Sequence, residues 1–206
     1  MRKGKPILWL IVLGSVWGFN EVLAGEALSS VNVLFGSALL AAWAFLVLAV
    51  ARGMLNRGGS STFIAGIAVL YRLVNTSPFF CHLLGIFMLG LAFDLSATLL
   101  GRGENRNRLK ESLIGITTAF GGYALFALSV TFIFRHDFWV SGGWPKIMNH
   151  IFISGSLAAF LASIVVPLGY NLGRRSDVYI EGKSRWTYSW GLLFLVFVWS
   201  LIGITG

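Results

Sequence analysis

The stretch FGSALLAAWAFLVLAVARG, residues 35–53, decides the class of fold. It carries no charge before Arg52 and covers most of an apolar run expected from Val31 to Ala51. About 20 such residues in a helix cross the roughly 30 Å of hydrocarbon in a bilayer. The whole chain has the same character: of its 206 residues 56% are hydrophobic and 12% charged, too little charge to solvate a soluble domain of this size. Lipid is the solvent this composition suits.

Reading outward gives an all-α, polytopic transmembrane helix bundle with a six-helix core and a seventh, C-terminal helix. Residues 1–206 form a single membrane domain, since no polar stretch is long enough for a second. Helices are expected over about 7–27, 31–51, 61–74, 78–100, 111–134, 145–172 and 186–204. The third carries Arg72 and, at ~14 residues, crosses fully only if its ends are polar or the bilayer thins. The N-terminus has the layout of a signal peptide, a basic start, an apolar core and then VLAG. Another apolar run follows almost at once, so this segment is read as a retained first helix. RHDFWVSGGWPK, residues 135–146, is expected to be the longest outer loop, with Phe138, Trp139 and Trp144 suited to the headgroup region.

The net charge of +8 would suit a nucleic-acid partner, but its distribution does not. Thirteen of the sixteen Lys and Arg residues fall in the N-terminal tail and the alternate connections, leaving Arg72, Arg135 and Lys146. A positive-inside bias then makes the chain integral to a cell membrane, with a cytoplasmic N-terminus and an external C-terminus. The basic loop around Arg102, Arg106 and Arg108 sets topology or meets anionic lipid. A single cysteine, Cys81, excludes an intramolecular disulfide.

Polar residues inside the apolar runs carry the functional reading. On the first helix Gly14, Gly18, Glu21 and Gly25 recur at helical spacing, so small residues permit close helix contact and Glu21 points into the bundle. A carboxylate there must be protonated, paired or wetted. Glu26 is expected to be a solvated helix end. Asn20, Glu21, Asn32, Arg72, Asn75, His82, Asn149 and His150 come from five helices and fall at one outer level. Two readings follow. They form an outward-facing pocket for a small solute, with Glu21 and Arg72 as charged contacts, Asn20, His82, Asn149 and His150 as hydrogen-bonding groups, and the aromatic outer loop 135–146 able to close over the site. Otherwise Arg72 neutralises a glutamate and the rest are ordinary helix ends of an accessory subunit. Asp94 lies deeper, on a face with Gly90 and Thr98, without an obvious basic partner. It is either a proton or cation site or a residue of a packed seam.

Other chemistries have thinner support. His82 and His150 would suit the two axial positions of a haem iron. No HExxH or paired-cysteine motif supports a metal site, and no P-loop, GxSxG or dinucleotide fingerprint is present. His82 follows Cys81 directly and so diverges from it by about 100° on a helix, a poor base for a thiol nucleophile. The expectation is a binding protein without a resident cofactor, not an enzyme.

GSVWGFNEVLAGEAL (residues 14–28), FGSALLAAWAFLVLAVARG and LLGIFMLGLAFDL (residues 83–95) carry a resemblance. They are similar to uncharacterised membrane proteins related to the energy-coupling factor transporters, and the N-in layout, six-helix core, short third helix and outer polar level resemble the substrate-binding S subunits of those transporters. The likeness covers about residues 7–172. It implies a vitamin-like or metal-related solute captured outside, with a membrane coupling subunit and two cytoplasmic ATPases as partners. Gly14 and Gly18 match the small first-helix positions that contact the coupling subunit. The chain departs from the pattern in its very short first connection and its extra seventh helix.

Overall fold

Six apolar helices form a closed ring, as a computed structural model describes for residues 5–30, 36–73, 80–101 and 107–180. The described elements are α1 (Lys5–Ser30), α2 (Gly36–Leu55), α3 (Ser60–Leu73), α4 (Phe80–Leu100), α5 (Arg108–Leu128), α6 (Asp137–Asn149) and α7 (Gly155–Ile180). A π-helical turn, Ser129–Ile133, follows α5, and a second, His150–Ser154, joins α6 to α7. There is no strand among the described residues. Neighbours around the ring run in the order α1, α3, α4, α5, α7, α2 and back to α1.

Five stretches are long and apolar enough to cross a membrane, and outward side chains such as Leu99, Ile133 and Phe160 leave an apolar surface. α3 has 14 residues. At about 1.5 Å per residue it falls short of the hydrocarbon thickness, as its sequence leads one to expect.

Small residues set the spacing of the ring. A Cβ on Gly14 would lie 2.7 Å from the Ile67 Cβ, and one on Gly18 would lie 2.6 Å from the Tyr71 Cβ. α1 and α3 therefore touch nearly backbone to backbone. This close contact is internal: both glycines are buried against α3, which covers the positions the transporter resemblance gives to a coupling subunit.

The two ion pairs among the described residues lie at one end of the ring. Arg174 of α7 pairs with Glu111 of α5, and Arg52 of α2 approaches Asp94 of α4. Asp94 accepts hydrogen bonds from the backbone N–H of Gly59 and Thr62 at 3.2 and 2.7 Å, and from the Thr62 hydroxyl at 2.7 Å. It thus supplies, from another helix, the acceptors that the first turn of α3 lacks. The missing basic partner is Arg52, 46 residues from Thr98, to which it also donates at 2.8 Å. Distance along the chain hid this seam.

Helix ends differ from the expected ones in several places. α2 continues to Leu55 and not Ala51, with Arg52 buried in the seam. α5 starts at Arg108, three residues early, because the Asn107 side chain accepts from the Lys110 N–H at 2.9 Å. Asn107→Ala should cost about 1 kcal/mol, lowering the unfolding temperature in detergent by about 3 °C; Asn107→Asp, which keeps the acceptor, should not.

The largest correction concerns residues 135–146. They are not a loop: helix begins at Asp137, where Trp139 and Val140 donate to the His136 carbonyl. Gly142, Gly143 and Pro145 read as breakers, yet the break is confined to Gly143, at φ 55° and ψ −157°. Only glycine adopts that backbone without strain. Lys146 Nζ reaches back to the Phe138 carbonyl at 2.8 Å and ties the two halves together. The helix expected to end at Leu172 runs on as α7 to Ile180. The expected seventh helix, 186–204, lies outside the described residues, as do Asn32 and Asn75 and the side chain of Glu26.

Candidate functional site

At the end of the ring opposite the ion pairs, α1, α2, α4, α5 and α6 surround a cavity of about 310 Å³. That is within the range of small-molecule sites. α3 contributes no wall.

The α1 wall is Trp17 and Glu21, one turn apart. Glu21 is 4% exposed, and its Oε1 accepts from Trp17 Nε1 at 3.0 Å. From α4 come Cys81, His82 and Gly85, and from α5 come Tyr123 and Phe126, three residues apart and so on one face. Ser37 at the start of α2 lines the cavity together with Tyr123. Trp139 of α6 and His150 complete the enclosure.

His150 is set by its surroundings. Its ring centroid lies 4.8 Å from that of Tyr123, 5.1 Å from that of Trp139 and 5.5 Å from that of Phe126. It opens the π turn, whose last bond runs from the Gly155 N–H to the His150 carbonyl. A π turn inserts one residue into the helical register and re-aims the side chains around it.

Of the six residues expected to contact a solute, the structure brings Glu21, His82 and His150 to one cavity. Asn20 is half-buried and Asn149 exposed, and neither lines it. Each neighbours a lining residue in sequence, and one step along a helix rotates a side chain by about 100°. Arg72 is buried behind the site. Its guanidinium reaches the Glu21 main-chain carbonyl at 3.4 Å and lines no part of the cavity. Of the two glutamates that Arg72 was expected to neutralise, Glu21 meets it through this backbone contact, and the side chain of Glu26 lies outside the described residues.

Sequence reasoning missed the aromatic walls Trp17, Tyr123 and Phe126. The i, i+4 spacing of Trp17 to Glu21 and the i, i+3 spacing of Tyr123 to Phe126 carried some signal. Trp139 was reached only as part of an aromatic outer loop able to close over the site, and the structure puts it on a helix instead. Exposed Phe138 and Trp144 keep the outward character expected of them, whereas Trp139 is 8% exposed.

His82 and His150 line the same cavity, but no group of three or more His, Cys, Asp or Glu residues suited to a metal ion occurs among the described residues. Cys81 lines it too, and no side-chain hydrogen bond among the described residues links its thiol to a base. Compared with known proteins, the chain matches no family model, no curated protein and no solved structure.

Proposed function

We propose that this chain is an integral membrane protein that captures a small solute in the cavity between α1, α2, α4, α5 and α6 and takes part in its uptake. The observation that carries this reading is Glu21: a buried carboxylate on an apolar helix, with no ion pair among the described residues, facing a cavity of ligand size beside His82 and His150. A buried acid in such a setting is costly, and a ligand that completes its contacts offsets the cost.

Orientation follows from the basic connections. With the positive-inside bias applied, the ion-paired end is cytoplasmic and the cavity opens toward the outer face. The N-terminus is then inside. In this reading the chain binds and does no chemistry, as an S subunit does, and a coupling subunit with ATPases supplies the energy. The buried Gly14 and Gly18 do not serve as the docking stripe; any coupling subunit meets another face.

The test is to purify the protein in mild detergent, denature it and identify the released small molecules by mass spectrometry. One organic solute near one per chain is expected. Glu21→Ala should fold and lose it by about tenfold or more, the worth of a hydrogen bond to a charged group. Released haem would give the site to the His82–His150 alternative. Lipid alone, together with a Glu21→Ala protein that unfolds, would make the polar cluster an internal support of an accessory subunit.

A further inference from the structure

The described residues bury three carboxylates, those of Glu21, Asp94 and Glu111. Asp94 and Glu111 each meet an arginine within 4 Å, and neither lines the cavity. Glu21 has no such partner there and does line it. We propose that the cavity's ligand is a compact, flat organic cation with N–H donors, an aromatic amine or amidine in chemical class, which supplies the ion-pair partner that no described residue gives Glu21. This rests on the solute-binding reading above and names its substrate class.

The walls fit that chemistry as well as the carboxylate does. Trp17, Tyr123, Phe126 and Trp139 all line the cavity. Aromatic rings attract cations through the negative potential of their faces, more so where water is excluded. They also stack on flat rings at separations of about 4.5–7 Å, so one planar cation uses both properties. A cavity of about 310 Å³ holds a molecule of one or two rings. An anion would face Glu21 directly. A neutral ring without donors would leave the carboxylate with the Trp17 N–H as its one described donor, and a neutral amide would add a hydrogen bond but no charge.

Two other cations lie near and do not occupy the role. Arg72 comes from α3, contacts the Glu21 main-chain carbonyl and stays out of the lining. Lys146 is turned to the Phe138 carbonyl. Arg72 tempers the field of the carboxylate, so shape and hydrogen bonding share the selection with charge.

Cys81 supplies the readout, because it is the one cysteine of the chain and it lines the cavity. The alkylation rate of Cys81 in purified protein is measured with N-ethylmaleimide alone and with equal concentrations of benzamidinium, benzamide or benzoate. These three probes share one size and planarity and differ in charge. Benzamidinium should slow alkylation about tenfold more than benzoate does, with benzamide between them. Glu21→Gln should bring benzamidinium down to the level of benzamide, and Trp139→Leu should weaken benzamidinium while Glu21 remains. Equal or better protection by benzamide or benzoate would overturn the cation assignment and leave the solute-binding reading standing. No protection by any probe overturns the assignment as well, and the release experiment then decides the broader reading separately. Equilibrium dialysis of the same three probes gives the same ranking if the thiol reacts too slowly, and the wild-type ranking decides even if Glu21→Gln fails to fold.

Discussion

Asp94→Ala should cost 3–5 kcal/mol, the usual loss when one member of a buried charged pair is removed. Arg52, 3% exposed, would keep its charge with the carboxylate gone. The Gly59 and Thr62 N–H groups and the Thr62 hydroxyl would lose their acceptor at the same time. At about 2–4 °C per kcal/mol the unfolding temperature should fall by about 10 °C. Thermal unfolding in detergent, followed by loss of the monodisperse peak on size exclusion, reads this directly. Asp94→Asn keeps an acceptor for α3 and should lie between. A proton or cation site would behave otherwise: Asp94→Ala would stay within about 2 °C of the parent and lose only transport. The geometry sides with the seam, since both carboxylate oxygens are already engaged, one by Gly59 just before α3 and the other by Thr62 in its first turn.

The second large effect is expected where α2 crosses α7. A Cβ on Gly53 would lie 2.7 Å from the Tyr170 carbonyl oxygen and 3.0 Å from the Gly173 Cα, both backbone atoms that cannot rotate away. Across the same seam, a Cβ on Gly169 would lie 2.7 Å from the Ala49 Cβ and 2.8 Å from the Leu46 carbonyl oxygen. The two helices must separate to admit a side chain, so Gly53→Val should cost about 3 kcal/mol or more, with little folded protein recovered from membranes. Gly121→Ala is the control. Its Cβ would meet nothing nearer than the Ala92 Cβ at 3.9 Å. Alanine favours helix over glycine by up to about 1 kcal/mol, so this variant should be neutral or slightly more stable. Equal recovery of the two variants on detergent extraction would show that the α2–α7 approach is not limited by Gly53.

The cavity shows where local sequence ceases to inform. Glu21, His82 and His150 were legible because each is a polar residue near one expected end of an apolar run, and depth can be counted along a helix. Asn20 and Asn149 met the same criterion and fell off the site, because depth does not specify azimuth. Arg72 was placed at the right level and on the wrong side of α1. The aromatic walls were silent for another reason: in an apolar chain an aromatic residue that lines a cavity looks the same in sequence as one that faces lipid. Trp139 depended on a helix that glycine and proline had seemed to forbid.

The sequence by itself determined that the chain is all-helical and apolar, where most of its helices lie, and which ends carry the basic residues. These are local properties, since hydrophobic length and turn chemistry act within a segment of about 20 residues. Tertiary structure alone decided the ring order, the pairing of Arg52 with Asp94 and of Arg174 with Glu111, and the absence of α3 from the cavity wall. It also decided that Glu21 faces open space. Such outcomes depend on which helix faces which, and that is settled by small-residue contacts between segments far apart in the chain, where backbones come close enough for a single Cβ to exclude the alternative.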